Sequence, residues 1–168
     1  KVRFIGASNY DAARLEQALQ ASEKQGCPRY QSLQPLYNLY DRAPFEKELE
    51  PLCRRRNVGV ISYFSLASGF LSGKYRSKDD LADRARADMV KKYLDDRGMR
   101  ILAALDQVAE NEGLTPAKVA LAWLIARPSV TAPIASATTL EQLQELIEAT
   151  TVELDRSSMD LLNEASAY

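Results

Sequence analysis

Histidine is absent from the 168 residues, and cysteine occurs only at Cys27 and Cys53. The first absence removes the commonest general acid–base group and the commonest metal ligand. The second leaves neither a metal-binding spacing nor a disulfide framework, so both thiols read as free cysteines in a reducing cytoplasm. Long apolar runs are also missing. The longest, around Val119–Ala126 and Val58–Ala67, fall far short of the ~20 residues that span a bilayer. Charge of one sign is not in excess: the net charge is −1. Neither nucleic acid nor a membrane surface is therefore an expected partner. The first residues, Lys1 to Gly6, lack the layout of a signal peptide. No Met opens the chain, as in a processed protein or a piece of a longer one.

What is present is ordinary globular material, 46% hydrophobic and 27% charged. A chain of this length buries roughly 70% of the surface that its unfolded form exposes, enough for one core. Val2–Gly6 reads as a strand. Asp11 caps a helix carrying Leu15, Ala18 and Leu19, which Gly26 ends. Tyr30–Gln34 is a second strand, stopped by Pro35. Residues 44–56 read as a helix interrupted at Pro51, and Val58–Tyr63 as a third strand. The polar stretch from Ser68 to Asp96 carries no clear period. Ile101, Leu105 and Val108 mark a helix over 97–112. Thr115-Pro116 supplies an N-cap and a proline at the first helical position. Val130–Ile134 is a fourth strand. Thr139 and Gln142 have capping-box spacing, and a last helix runs from Asp155 towards the end.

Strands alternating with helices predict a parallel sheet with right-handed crossovers. The first strand–helix turn, Gly6-Ala7-Ser8-Asn9, lacks the GxGxxG of a doubly wound dinucleotide fold, which favours a barrel. A (β/α)8 TIM barrel takes ~250 residues and eight strands. The expectation is therefore a single partial-barrel domain over residues 1–168, with about four parallel strands and flanking helices. It is not a complete enzyme by itself, and a missing half or a second copy would complete it.

In a parallel barrel, functional residues follow the strands. Here they are Ser8 and Asn9, Gln34, Tyr63 with Phe64 to Gly69, and Ser136 to Thr139. Hydroxyl and amide groups suit a carboxamide, small residues let backbone N–H groups approach phosphate, and a tyrosine ring stacks on a flat heterocycle. Together they suggest a nicotinamide dinucleotide site. By itself, Tyr63 reads equally as an aromatic at the core edge. Tyr37 and Tyr40 either line a substrate pocket or pack a loop. Trp123 is a packing residue, and the charges at Glu48, Glu50 and Arg54–Arg56 belong to a helix surface.

The segments GASNY (6–10), LQPLYNLYDR (33–42), VISYFSLASGFLSGKYR (60–76) and VALAWLIARPSVTAPIASATTLEQL (119–143) resemble the C-terminal half of a bacterial aldo/keto reductase. They fall in the family's order and spacing and span nearly the whole chain. The resemblance implies an NADPH-dependent oxidoreductase that reduces small aldehydes or ketones, represented here by its cofactor-binding half. It implies that Ser8, Asn9 and Gln34 grip the nicotinamide carboxamide and that Tyr63 stacks on its ring. Ser65, Leu66, Ala67, Ser68 and Gly69 would lie along the pyrophosphate. Lys74 and Arg84 would close over the cofactor, and Ser136, Thr138, Gln142 and Glu145 would line the adenosine end. Phe64, Ser136, Gln142 and Leu146 depart from residues common in the family, and the lack of a basic side chain at 136 or 142 leaves the choice between NADPH and NADH open. The family's catalytic Asp, Tyr, Lys and His lie on strands with no counterpart here, so no catalytic residue is assigned. Lys74-Tyr75 is no substitute, because adjacent residues on an extended loop point apart. The alternatives are a non-catalytic nicotinamide-binding or regulatory module and a half-barrel that pairs with itself.

Overall fold

The structure is a computed structural model describing residues 1–81 and 87–168. Its strands are β1 (Ile5–Ser8), β2 (Tyr30–Gln34), β3 (Gly59–Ser62) and β4 (Ala132–Pro133). They form one parallel sheet in the order β1-β2-β3-β4. Each strand lies beside its predecessor in sequence, and every connection between them returns through helical segments. All four C-terminal ends consequently reach the same edge of the sheet. Register aligns them: Ser8 sits opposite Gln34, Ser62 opposite Pro133, and a parallel bridge joins Leu36 to Tyr63. The chain is thus α/β, with four parallel strands and flanking helices, as part of a (β/α)8 barrel requires.

β3 is one residue shorter at each end than the expected Val58–Tyr63, and two strands differ from the sequence expectation by more. β1 begins at Ile5 rather than Val2, because its partner begins at Tyr30, which pairs with Ile5. Val2 and Phe4 remain 76% and 73% exposed. β4 shrinks from the expected Val130–Ile134 to Ala132–Pro133. Pro133 has no N–H to extend the ladder. Hydrogen bonds from Thr131 N to Val60 O and from Ile134 N to Ser62 O nevertheless hold both flanks to β3.

The helices start where side chains can satisfy their first N–H groups. Asp11 accepts from Arg14 N at the start of α1 (Ala12–Gln25), and left-handed Gly26 ends that helix. Phe45–Leu49 is a π-helical turn that runs into α2 (Glu50–Arg56). The expected interruption at Pro51 takes this form. The proline lacks an N–H and its ring crowds the preceding turn, so the backbone widens ahead of it, with Glu50 N bonding to Phe45 O. The polar stretch holds short 3-10 turns at Ala67–Ser72, Asp79–Leu81 and Lys91–Tyr93, with α3 (Ala87–Val90) among them. Asp95 caps α4 (Asp96–Glu112), Thr115 caps α5 (Pro116–Ile125), Thr139 caps α6 (Leu140–Glu148) and Asp155 caps α7 (Arg156–Ala165). The capping box at Thr139 is half formed: Gln142 Oε1 reaches back to Thr138 N rather than Thr139 N. Among the described residues, no helix is long and apolar enough to cross a membrane.

The core lies between sheet and helices, where Leu15, Leu33, Val60, Phe70, Leu105 and Trp123 are fully buried. Tyr37 is also fully buried, tilted against Phe45 and Trp123, and Tyr40 meets Tyr93 edge-on. Both pack the loop after β2. Beneath that loop sits an ion pair. Arg42 Nε and Nη2 reach the two oxygens of Glu46 at 2.8 and 3.0 Å, and the Tyr37 hydroxyl donates to Glu46 Oε1 at 2.7 Å. Arg42 Nη1 also donates to Asn163 O and Ser166 Oγ, which fastens the end of α7 to the loop.

Burial raises the pKa of Glu46, but the hydrogen bonds from Arg42 and Tyr37 and the charges of Arg42 and Arg127 outweigh it, so the net shift is downward from 4.5. A carboxylate depressed by folding stabilises the native state above its unfolded pKa, and that contribution is lost as pH falls through the folded value. Wild-type stability in urea should therefore decline below about pH 4.5. Glu46→Gln should flatten this part of the acid limb and cost about 3 kcal/mol at neutral pH, because it strands the Arg42 charge. Parallel pH profiles for the two proteins would contradict the assignment.

Candidate functional site

The edge where the four strands end gathers the residues singled out by sequence. Ser8 Oγ and Asn9 N both donate to the Gln34 carbonyl, at 3.2 and 3.3 Å. Tyr63 N donates to Pro35 O, and the Tyr63 hydroxyl donates to Asn9 Oδ1 at 2.8 Å. Ser8, Asn9, Gln34 and Tyr63 thus form one cluster across three strands. Asn9 sits at φ 57°, a left-handed conformation that asparagine tolerates better than most residues. The Gln34 side-chain amide makes no hydrogen bond among the described residues, so its donor and acceptor are available at the sheet mouth.

Beyond β3 the backbone turns sharply. Phe64, Ala67 and Ser68 adopt φ values of 53°, 49° and 59°, followed by Gly69 at 96°. Left-handed conformations cost non-glycine residues about 1–2 kcal/mol each and persist only where the surroundings hold them. Here Ala67 N donates to Phe64 O, Gly69 N donates to Leu66 O, and Ala67 and Phe70 are fully buried. Ser65 is buried, and its hydroxyl donates to Ile134 O at 2.8 Å, tying the loop to the end of β4. Ser68 is also nearly covered. The loop therefore offers chiefly its backbone. Ala67 and Gly69 spend their N–H groups on carbonyls of the loop itself, so any contact with anionic oxygens falls to the loop's other N–H groups.

Lys74 crosses this loop. A Cβ placed on Gly69 would lie 3.1 Å from Lys74 Cε and 3.2 Å from Nζ. The glycine thus provides both the positive φ and the room for the lysine to pass. Against the expectation that these adjacent side chains point apart, Lys74 Nζ also lies over the Tyr75 ring, because the chain here is turned rather than extended at Gly73; the ring itself is buried. Arg84 lies outside the described residues.

Ser136, Thr138 and Gln142 are exposed near the start of α6. Gln142 Oε1 accepts from both the backbone N and the hydroxyl of Thr138. Glu145 is turned back towards α5, where it accepts from the Thr115 hydroxyl. No Lys or Arg occurs between Arg127 and Arg156, whereas Glu141, Glu145, Glu148, Glu153 and Asp155 do. This end of the site is acidic in sequence, although Lys118 of α5 pairs with Glu148.

The structure adds a residue that sequence reading passed over. Asn38 is fully buried and donates from Nδ2 to the Phe64 carbonyl at 3.0 Å. The available signal was an amide set among the apolar residues of LQPLYNLYDR. The neighbouring tyrosines are not poised as acids. Burial, followed by the hydrogen bond to Asp95, pushes Tyr40 up to about 12, and burial and the Asp41 carboxylate raise Tyr93. The described residues contain no group of three or more His, Cys, Asp or Glu able to hold a metal ion.

Comparison with known proteins matches residues 1–167 to the model of the aldo/keto reductase family. The chain is 34% identical over 166 residues to an uncharacterized oxidoreductase, YrpG, of Bacillus subtilis (strain 168), covering 98% of this chain and 49% of that protein. It is 30% identical to a probable voltage-gated potassium channel subunit beta of Arabidopsis thaliana, covering 89% of this chain and 47% of the relative. It is 26% identical to yakc of Schizosaccharomyces pombe (strain 972 / ATCC 24843), an aldo-keto reductase named for NADP(+), covering 98% of this chain and 48% of the relative. The chain spans about half the length of these curated relatives. With four parallel strands ending on one polar mouth and a family match over almost every residue, this chain belongs to the aldo/keto reductase family.

Proposed function

We propose that this chain is the cofactor-binding, C-terminal half of an NADPH-dependent reductase that converts small aldehydes or ketones to alcohols. The observation that carries the reading is the convergence of Ser8, Asn9, Gln34, Tyr63, the left-handed loop and Lys74 at one sheet edge. The free Gln34 amide and the Asn9–Ser8 pair suit a carboxamide. The Tyr63 ring covers one face of a flat heterocycle and leaves the other for substrate. The loop at 65–69 offers to a pyrophosphate those backbone N–H groups that Ala67 and Gly69 do not already spend within the loop, and Lys74 brings a positive charge to it. Arg84 is assigned to the same phosphates by resemblance. When bound, the nicotinamide supplies the hydride that a carbonyl carbon accepts. The carbonyl oxygen then needs a proton, and this reading places its donor in the rest of the protein. Tyr75 is buried under Lys74 and has no path to a substrate oxygen.

Residues 1–168 are read as a single partial-barrel domain. Apolar surface at both margins supports this: Phe4 and Ile5 lie exposed at β1, and Ile134, Leu140, Leu143 and Ile147 lie exposed around β4 and α6. Edge strands carrying such surface call for pairing. The further strands come from the N-terminal half of the barrel or from a second copy, and sedimentation distinguishes these. The relative named as a channel subunit favours a second reading, a nicotinamide-binding module with little turnover.

Fluorescence titration of the protein containing this chain should show NADPH binding. Because Ser136, Thr138, Gln142 and Leu146 supply no positive charge, the preference for NADPH over NADH should stay below about tenfold. Tyr63→Ala should weaken binding by about 5- to 100-fold, the usual worth of one aromatic stack. Lys74→Met should weaken NADPH by about tenfold or more and reduced nicotinamide riboside, which has no phosphate, far less, as loss of a charge-assisted phosphate contact requires. Wild-type affinity in both variants would overturn the site. Binding without aldehyde reduction would favour the module.

A further inference from the structure

We propose that Asn38 is the positioning residue that sets the shape of the cofactor loop, acting through Phe64 at one end and through Asp41, Tyr93 and Phe70 at the other; this rests on the nicotinamide reading above. Asn38 has no exposed surface. Its Oδ1 accepts from Tyr40 N and Asp41 N, both at 2.8 Å. Its Nδ2 donates to Asp41 Oδ2 at 3.1 Å and to Phe64 O at 3.0 Å. These four bonds use the full hydrogen-bonding capacity of an amide.

Each bond has a structural consequence. The two to Oδ1 fold the chain after β2 back on itself, as an asparagine side chain does in a turn. The bond to Phe64 O fixes the peptide that follows a left-handed residue directly after Tyr63. Phe64 is 42% exposed, so packing of its own ring contributes little to holding that backbone. The bond to Asp41 orients a carboxylate that also accepts from the Tyr93 hydroxyl at 2.8 Å and faces Lys92 Nζ at 3.5 Å. The Tyr93 ring stacks on Phe70, with centroids 5.4 Å apart and an interplanar angle of 21°. Phe70 closes the left-handed stretch that begins at Phe64. The loop is thus gripped at its two ends by one network, and among the described residues Asn38 is the one that hydrogen-bonds to both arms.

Gly98 shows how tightly the second arm is set. A Cβ there would meet Tyr93 O at 1.8 Å and Phe70 Cζ at 3.0 Å. The glycine lets α4 press on the Tyr93–Phe70 stack, so the far end of the loop has little room to shift. At the near end, Phe64 O accepts from both the covered Asn38 amide and Ala67 N, and loss of the amide donor leaves only the loop's own N–H to hold that carbonyl. The Tyr63 ring and the N–H groups of residues 65–69 then lose the arrangement that a dinucleotide needs.

The test compares wild type, Asn38→Asp and Tyr93→Phe. Asn38→Asp keeps the shape and the Oδ1 acceptor but replaces the donor, placing an oxygen against Phe64 O and Asp41. Tyr93→Phe removes one bond and keeps the stack on Phe70. NADPH affinity and the emission spectrum of bound NADPH are read at a temperature where circular dichroism shows each protein folded. The expected result is a loss of affinity of about tenfold for Asn38→Asp and about threefold for Tyr93→Phe, with a red-shifted bound spectrum in both. A merely structural role would lower the urea midpoint and leave affinity and spectrum at their wild-type values, which would overturn the proposal. If Asn38→Asp does not fold, Tyr93→Phe decides by the same criteria. Failure of the wild type to bind NADPH would instead remove the nicotinamide reading itself.

Discussion

The hydrogen bond from buried Asn38 to the Phe64 carbonyl joins the loop after β2 to the loop after β3, and the shape of the candidate site depends on that junction. Parallel topology alone delivers four strand ends to one edge. It does not shape the loop that follows β3. The backbone does that by turning left-handed at Phe64 and again at Ala67, Ser68 and Gly69. Such a run is locally unfavourable. It persists because Asn38, the Ser65 hydroxyl on Ile134 O and the burial of Ala67 and Phe70 hold it in place.

Two polar networks divide the loop after β2 between them. Arg42 and Glu46 look towards α7 and close the C-terminal end of the chain onto the loop. Asn38 and Asp41 look towards the mouth of the sheet. Both are largely withdrawn from solvent, where an unsatisfied group is costly, so each network fixes one arrangement more firmly than apolar packing would. The mouth itself is electrically uneven. Lys74 brings a cation to the left-handed loop, while the stretch from Pro128 to Asp155 contains carboxylates and no basic residue.

Much of this was legible in the sequence where local chemistry decides the outcome. Asp11, Thr115, Thr139 and Asp155 cap the helices that their spacing indicates, because a cap needs only a side-chain oxygen and an N–H two or three residues away. β2 and β3 appear near their expected bounds because β2 alternates up to the stop at Pro35 and β3 is an apolar run that ends before Tyr63. β1 and β4 were less legible, since their extent depends on where a neighbour begins and on the missing N–H of Pro133. The π-helical turn ahead of Pro51 and the positive φ values after Tyr63 leave no simple mark in composition. Tyr37 and Tyr40 could be read two ways, and only the packing against Trp123 and Tyr93 settles them as loop aromatics. Asn38 went unnoticed because its telling partner, Phe64 O, is 26 residues away. Ser65 was assigned to a binding loop, but its hydroxyl serves the loop's own attachment to β4.

The most direct test of the cofactor-binding claim is the contact between Tyr63 and a nicotinamide ring. Saturation-transfer NMR on the protein containing this chain, with tyrosine ring protons as the only protonated aromatic positions, reads that contact in solution. The expected result, at saturating NADPH, is transfer to its nicotinamide ring protons that disappears in Tyr63→Leu. Transfer unchanged by that substitution, or confined to the adenine ring in the wild type, would contradict the placement of the nicotinamide at the end of β3.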